Sequence, residues 1–206
     1  MDRDTVLDKF LEEHVFDQWL DDLIPIGDAL NERKEEIEHG LCQTLDTVWR
    51  QVAEQQEQGV KGAIHYVYIS LLRTGIMENI PHYRIDAYDE NWMMDKVECT
   101  ALWRADFIFE PLFRRMKDLE QVKKGYARKI TSQDLDRIKQ IEAVKYHLLA
   151  IEFIKSMMPA LLSSMEYSRI AKSLGINWMA GEFRDQSVRL TGAEEVTNEA
   201  AGAVIE

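Results

Sequence analysis

Apolar residues recur at helical spacing along the first third of the chain. From Thr5 to Leu23 they are interspersed with acidic residues, as in an amphipathic helix. Pro25 ends that pattern, because proline disfavours the helical conformation around it. From Ile26 to Gln58 the apolar positions follow at steps of three, four or seven, which keeps them on one side of a helix. The pattern predicts two amphipathic helices, the second of them long.

The segment from Ala63 to Leu72 differs because it is apolar on nearly every side. An element with this composition has neighbours all round it, so we interpret the segment as a buried central helix. It is too short to cross a membrane. Its β-branched and aromatic residues leave a buried strand as the second possibility.

Strand patterns are confined to three short runs. Residues 83–88 alternate between apolar and polar positions, and the acidic residues that follow suit a turn. Residues 92–99 can return as the second strand of a hairpin. Residues 177–183, which follow a glycine that can end a helix, are a candidate third strand. Together the runs predict a small antiparallel sheet of two or three strands.

The rest of the chain has helical patterns. Residues 105–125 contain Pro111, which suits the first turn of a helix. Thr131 and Asp134 have the spacing of a capping box and open a long helix that is kinked near Pro159. We therefore predict a mainly α fold of the all-alpha class: a bundle-like domain of five to six helices around the buried central helix, with the small sheet at one side.

The chain has 206 residues, which favours a single domain. We place that domain at residues 1–190 and expect a disordered acidic tail at 191–206, where aromatic residues are absent. No stretch approaches the roughly 18 apolar residues of a membrane span, and the first residues lack the basic and apolar regions of a signal peptide. We expect a cytoplasmic protein without membrane association.

Charge is distributed unevenly along a chain whose formal net charge is −12. Residues 1–60 carry 16 acidic and five basic side chains, whereas residues 111–174 carry seven acidic and 13 basic ones. So acidic a protein is unsuited to general binding of nucleic-acid phosphates. Two explanations of the asymmetry remain open. Either acidic helices pack beside basic ones, or the basic stretch from Arg114 to Lys129 faces an acidic partner or a phosphate.

Motifs with a defined chemistry are few. The phosphate-binding, dinucleotide-binding, serine-hydrolase and zinc-protease patterns are absent. Glu36 and His39 have the spacing of a di-iron ligand pair, but no second pair completes such a site, so we predict no metal site. Cys42 and Cys99 are interpreted as small core residues. The sequence leaves the cofactor unknown.

The best site candidate combines polar residues of the central helix with polar residues of the hairpin. Buried polar groups need partners, so arginine, histidine and tyrosine side chains on the helix are expected to meet acids of the hairpin. The candidates for ligand binding are Tyr66, Tyr68, Arg73, Arg84, Asp86, Tyr88 and Glu98. Glu182 and Arg184 could join them. Such a cluster is either a small-molecule site in a helix-walled cleft or a structural network.

Two classes of function follow. The first is a non-catalytic interaction or regulatory protein, whose acidic amphipathic helices bind another protein or form a homodimer. The second is a small-molecule-binding protein or an enzyme. In that case His65 is the candidate catalytic residue for proton transfer, because histidine titrates near neutral pH. Arg73 or Arg84 would then anchor a small anionic ligand. The sequence leaves enzymatic activity undecided.

Overall fold

A computed structural model describes residues 2–190. These residues form two compact units. Unit 1 takes residues 2–34, 73–81 and 105–150, and unit 2 takes residues 35–72, 82–104 and 151–190. The predicted tail at 191–206 lies outside the described residues, and the single domain at 1–190 stays a prediction.

Helices occupy more of the chain than strands do. In chain order they are α1 (Arg3–His14), α2 (Leu23–Glu32), α3 (Lys34–Glu57), α4 (Arg73–Met77), α5 (Asp106–Val122), α6 (Ser132–Leu162) and α7 (Met165–Arg169). Short single turns of tighter helix follow α1, α5 and the second strand. Among residues 2–190, none of the helices is both long enough and apolar enough to cross a lipid bilayer.

The strands form one five-stranded mixed sheet in unit 2. They are β1 (Ile64–Leu71), β2 (His82–Tyr88), β3 (Thr100–Arg104), β4 (Lys172–Glu182) and β5 (Ser187–Arg189). Their order across the sheet is β3-β2-β1-β4-β5, with β1 parallel to β4 and every other pair antiparallel. The predictions of an all-alpha helical bundle and of a two- to three-stranded antiparallel sheet are therefore wrong.

The largest error concerns the predicted central helix, which is β1 in the middle of the sheet. Val67 pairs with Ala87 of β2 on one side and with Trp178 of β4 on the other. A central strand of this kind is rich in β-branched and aromatic residues and carries no long polar stripe, so its pattern resembles that of a buried helix. The hairpin prediction was also wrong at residues 92–99, because the return strand is β3 and residues 89–99 form a loop.

The core of unit 2 covers one face of the sheet. Ile69, Ile85 and Ala180 are neighbours across three strands and are almost fully buried. Aromatic residues connect this face to helices: the ring centroids of Trp49 on α3 and Trp178 on β4 are 5.8 Å apart. Burial of each large apolar side chain contributes about 1.5–3 kcal/mol, which makes this face the main source of stability in unit 2.

In unit 1 the basic stretch meets acids of the same unit. Arg115 on α5 lies 3.2 Å from a carboxylate oxygen of Asp22, and it also contacts the hydroxyl of Tyr146 on α6. Lys123 and Glu120 pair at 2.6 Å. These contacts are of the kind that the first explanation of the charge asymmetry expects, in which acidic and basic segments of the same chain pack together.

His147 on α6 is buried in unit 1 and makes stability depend on pH. Burial, and to a smaller extent the charge of Arg73, lower the pKa of His147 to about 4. An unfolded histidine titrates near 6.5, so between these values the unfolded chain binds a proton that the folded chain does not bind. The free energy of unfolding therefore falls as the pH falls through this window.

We expect His147→Gln to remove this pH dependence. Between pH 7 and pH 4.5 the wild-type chain should lose about 2–3 kcal/mol more stability than the variant, because only the wild type gains a proton on unfolding there. Urea denaturation of both chains at the two pH values measures the difference. Parallel losses in the two chains would show that His147 is already protonated in the folded state.

Candidate functional site

The second face of the sheet carries polar and aromatic side chains instead of a core. Because successive strand residues point to opposite sides, the residues that alternate with the core positions of β1 and β2 share this face. Strand register places Tyr66 beside Tyr88, Tyr68 beside Asp86, and Ser70 beside Arg84. Tyr66, Tyr68, Arg84 and Tyr88 are half-buried. We call this side of the sheet the polar face.

A cavity of about 720 Å³ lies on the polar face. Its walls come from β1, β2, the loop at residues 89–99 and the turn between β4 and β5. Aromatic rings and charged groups both line it, among them Tyr68, Arg84, Tyr88, Trp92, Phe183 and Arg184. The volume falls in the range of small-molecule sites, which is about 300–1,000 Å³.

Arg84 and Asp86 form an internal ion pair at the floor of this cavity. The Nε atom of Arg84 donates to both carboxylate oxygens of Asp86, at 2.8 and 2.9 Å. Glu98 lies 3.7 Å from the same guanidinium. The hydrogen bonds to Asp86 raise the pKa of Arg84. Asp86 neutralises the charge of Arg84. Arg84 therefore serves more to position the side chains of the cavity than to bind an anion.

The turn between β4 and β5 supplies a second arginine. The guanidinium groups of Arg84 and Arg184 lie 5.3 and 5.2 Å from the ring centroid of Phe183. Arg184 is exposed, and within residues 2–190 it makes no hydrogen bond or ion pair. Its φ of 58° is left-handed, a conformation that costs a residue with a side chain of order 1 kcal/mol or more.

Trp92 covers another side of the cavity. Its φ is 53°, which is unusual for so large a side chain, and 45% of its surface is exposed. The indole Nε1 donates to the hydroxyl of Tyr68 at 3.1 Å, and the ring centroid lies 5.8 Å from that of Tyr66. Two left-handed residues, Trp92 and Arg184, therefore line one cavity. Strained residues of this kind cluster at functional sites.

The loop that carries Trp92 is held by a buried ion pair. Lys61 Nζ lies 2.6 Å from Asp95, and these side chains are 0% and 2% exposed. Burial alone would raise the pKa of Asp95, but hydrogen bonds from Lys61 and from the backbone N–H groups of Asp89 and Val97 lower it overall. Lys61 also donates to the carbonyl of Val97 at 2.7 Å. These contacts fix the position of the loop.

Two groups that could act as nucleophiles in the cavity keep their protons at neutral pH. Burial, and then the nearby charge of Asp86, raise the pKa of Tyr88 to about 12. Burial also raises the pKa of the Cys99 thiol. A phenol and a thiol in this state donate hydrogen bonds but do not attack a substrate readily.

The cavity brings together most of the residues that the sequence singled out. Tyr68, Arg84, Asp86, Tyr88 and Glu98 all line it, and Tyr66 lies on the same face. His65 on β1 does not line the cavity, and Arg73 belongs to unit 1. The walls are strands and loops, so the helix-walled cleft that we expected is wrong.

Three contributors were not found from the sequence. Phe183 and Trp92 occupy a turn and a loop, where no periodic pattern marks a side chain as facing a cavity. Lys61 looks like an ordinary surface lysine in sequence, although its side chain is fully buried. The one sequence feature that points to Phe183 is its position next to Arg184, which is a possible member of the candidate ligand-binding cluster.

Within residues 2–190 no three side chains of His, Cys, Asp or Glu are grouped closely enough to hold a metal ion. No family model matches this chain, and no curated protein or solved structure is significantly similar to it. What the chain does must therefore be inferred from the chemistry of its own residues.

Proposed function

We propose that this protein binds a small molecule in the cavity on the polar face. The observation that carries this proposal is that aromatic and charged side chains line a cavity of about 720 Å³ and that most of them keep exposed surface. A structural network would be closed and fully buried, whereas these rings keep exposed surface on which a planar ligand can stack.

The charge of the ligand follows from the two arginines. Asp86 neutralises Arg84, whereas Arg184 has no ion pair within the described residues. The guanidinium of Arg184 lies beside the ring of Phe183. A ligand whose acidic group binds Arg184 would therefore place a neighbouring planar group of the same ligand near that aromatic ring. We therefore propose a small aromatic or unsaturated carboxylate as the ligand class.

Binding fits the site better than catalysis does. Tyr88 and Cys99 keep their protons at neutral pH, for the reasons given above. No histidine is among the residues that line this cavity in the described part of the chain. A general base with a pKa near neutral is what proton-transfer catalysis requires.

We expect Arg184→Asn to weaken ligand binding by about tenfold or more, because a hydrogen bond to a charged group contributes about 1.5–3 kcal/mol. Asparagine tolerates the left-handed conformation, so the turn should keep its shape. The probe is the strongest binder among a set of aromatic carboxylates, selected by saturation-transfer NMR and measured by calorimetry.

The matched control for that experiment is Arg189→Asn. Arg189 is an exposed arginine on β5, five positions away, and does not line the cavity. We expect its substitution to leave the affinity unchanged. Equal losses in both variants would mean that only general positive charge attracts the probe, and the site proposal would fail.

Exposed residues from the end of α1 to the start of α2 favour a second function, protein–protein interaction through the acidic helices. Phe16, Leu20 and Ile24 are 51%, 48% and 70% exposed. Exposed acids, Asp17 and Asp21, lie between them in the sequence. Surfaces that mix apolar and acidic groups suit a partner that presents apolar and basic side chains. We propose such a partner for this segment.

We expect Leu20→Ser combined with Ile24→Ser to abolish binding of that partner, because the apolar contact area is lost. The control is Leu174→Ser, which replaces a fully exposed leucine on β4. Pull-down from the host and sedimentation of the purified chain report a foreign partner and a second copy, respectively. Binding that survives the double substitution would eliminate this segment as the interface.

A further inference from the structure

Unit 1 contains a groove of its own, about 650 Å³ in volume. Helices α5 and α6 form two sides, and Met77 at the end of α4 contributes to a third. The lining is mixed. Phe113, Met116 and Leu135 provide apolar surface, while exposed basic residues, Arg114 and Lys117, also line the groove.

Lys139 on α6 lines this groove and is only 6% exposed. Its Nζ donates to the backbone carbonyl of Met77 at 2.9 Å and lies 5.4 Å from the ring centroid of Phe113. Within residues 2–190 no carboxylate forms an ion pair with it. Desolvation makes an ammonium here costly, and the carbonyl of Met77 and the ring of Phe113 offset that cost without supplying a full negative charge.

The surroundings of Lys139 increase the share of its side chain that is neutral amine. Burial lowers the pKa of Lys139, and the nearby charge of Asp136 opposes this effect only in part. A neutral lysine amine is a nucleophile, whereas the ammonium is not. Lysines that act on carbonyl compounds are activated in this way, by desolvation in an apolar pocket.

We propose that Lys139 is the nucleophile of a second site, where its amine forms an imine with a small carbonyl compound that carries an acidic group. The Nζ lone pair adds to the carbonyl carbon, the two protons of the amine pass in turn to the carbonyl oxygen, and that oxygen leaves as water, so that a carbon–nitrogen double bond remains. No electrons are gained or lost overall. Glu110, Glu120 and Asp136 also line the groove and can carry the protons that these steps move.

The basic residues of the groove explain why the compound should be anionic. Arg114 lies 3.3 Å from Glu110, so its charge is partly neutralised. Lys117 is exposed, and within the described residues it has no ion-pair partner. A carboxylate held by Lys117 would increase the local concentration of the carbonyl group near Lys139. This site lies in unit 1 and does not depend on the polar-face cavity.

Reductive trapping tests the proposal on the full chain at pH 7, with glyoxylate as the probe and cyanoborohydride as the reductant. Peptide mass spectrometry then measures the modification rate of each lysine. We expect Lys139 to react at least about tenfold faster than the exposed Lys9, because the groove concentrates the anion and burial increases the share of neutral amine. A rate no higher than that of Lys9 would overturn the proposal.

Two variants separate chemistry from folding. Lys139→Arg keeps a cationic donor that can reach Met77 but cannot form an imine, so the fast modification should disappear while circular dichroism stays unchanged. Lys117→Met should slow the modification of Lys139 by glyoxylate but not by acetaldehyde, which is uncharged. Equal slowing with both aldehydes would refute the anion-binding role of Lys117, and fast modification of another residue in Lys139→Arg would refute the assignment to Lys139.

Discussion

Replacing Lys61 by methionine is expected to lower the free energy of unfolding by about 3–5 kcal/mol, because it leaves a buried carboxylate without its counter-ion. Lys61 is 2.6 Å from Asp95 and both side chains are inaccessible to solvent. Methionine fills a similar volume, so the loss reflects the unpaired charge and the lost hydrogen bond to Val97 more than a void. The loop that carries Trp92 should also become mobile.

Chemical denaturation measures the loss of stability, and hydrogen exchange of residues 89–99 reports the loosened loop. Arg114→Met is the matched control. It breaks an ion pair whose side chains are 67% and 66% exposed, and such pairs contribute less than about 1 kcal/mol. Adding Asp95→Asn to Lys61→Met should recover part of the loss, since the charge is removed while an amide oxygen remains for the loop N–H groups. A Lys61→Met chain as stable as wild type would mean that Asp95 takes up a proton or reaches water.

Gly181→Ala is expected to destabilise the fold by about 3 kcal/mol or more, because the added methyl group would overlap backbone atoms that cannot move away. A Cβ at this position would lie 2.5 Å from the Cα of Ser187 and would overlap the carbonyl oxygen of Gln186. These atoms are fixed by the pairing of β4 with β5 and by the hydrogen bond from Glu182 N–H to Gln186 O at 3.0 Å.

The same strand provides the control for Gly181→Ala. Gly175 also lies on β4, and a Cβ there would have no atom within 4 Å. Gly175→Ala should therefore be neutral or slightly stabilising, since alanine restricts the unfolded chain. Thermal unfolding compares the two variants. Because the turn carries Phe183 and Arg184, Gly181→Ala should also abolish binding of the carboxylate probe. Equal stability of the two variants would show that β5 is free to move away from β4.

Local signals in the sequence identified the helices more reliably than the sheet. The predicted capping box at the start of α6 is present, with Asp134 N–H donating to the Thr131 hydroxyl at 3.2 Å. The alternation at residues 83–88 matches β2. The predicted helix from Ile26 to Gln58 is interrupted near Arg33, where α2 ends and α3 begins.

The sheet could not be predicted because its order depends on distant pairings. β4 lies beside β1 in the sheet, although about a hundred residues separate the two strands in sequence. No local sequence pattern indicates that these two strands will pair. On β1 the residues that alternate with the core positions include Tyr66 and Tyr68, and their large aromatic rings hide the alternation in a count of apolar residues. For that reason the segment around Val67 looked like a helix with neighbours on every side.

The candidate site was predictable as a set of residues but not as a shape. Arg84, Asp86 and Tyr88 alternate on a correctly identified strand, so their common face follows from strand geometry. Their cavity also needs Phe183 and Trp92, which are placed by a turn and a loop. The sequence led us to expect that Arg84 binds an anion. In the structure its guanidinium is instead bound by Asp86, two positions along the same strand.

The most direct test of the central claim is an NMR titration of the ¹⁵N-labelled full chain with the best-binding aromatic carboxylate. The chain has five tryptophans, so each indole N–H gives its own signal. We predict that the indole signal of Trp92 and the amide signal of Arg184 both shift, because Arg184 lines the cavity and the Nε1 of Trp92 donates to Tyr68 inside it. The buried Trp49 and Trp178 should not respond. Shifts confined to other tryptophans, or no saturable shift at Trp92 and Arg184, would contradict the assignment of the polar face as a ligand site.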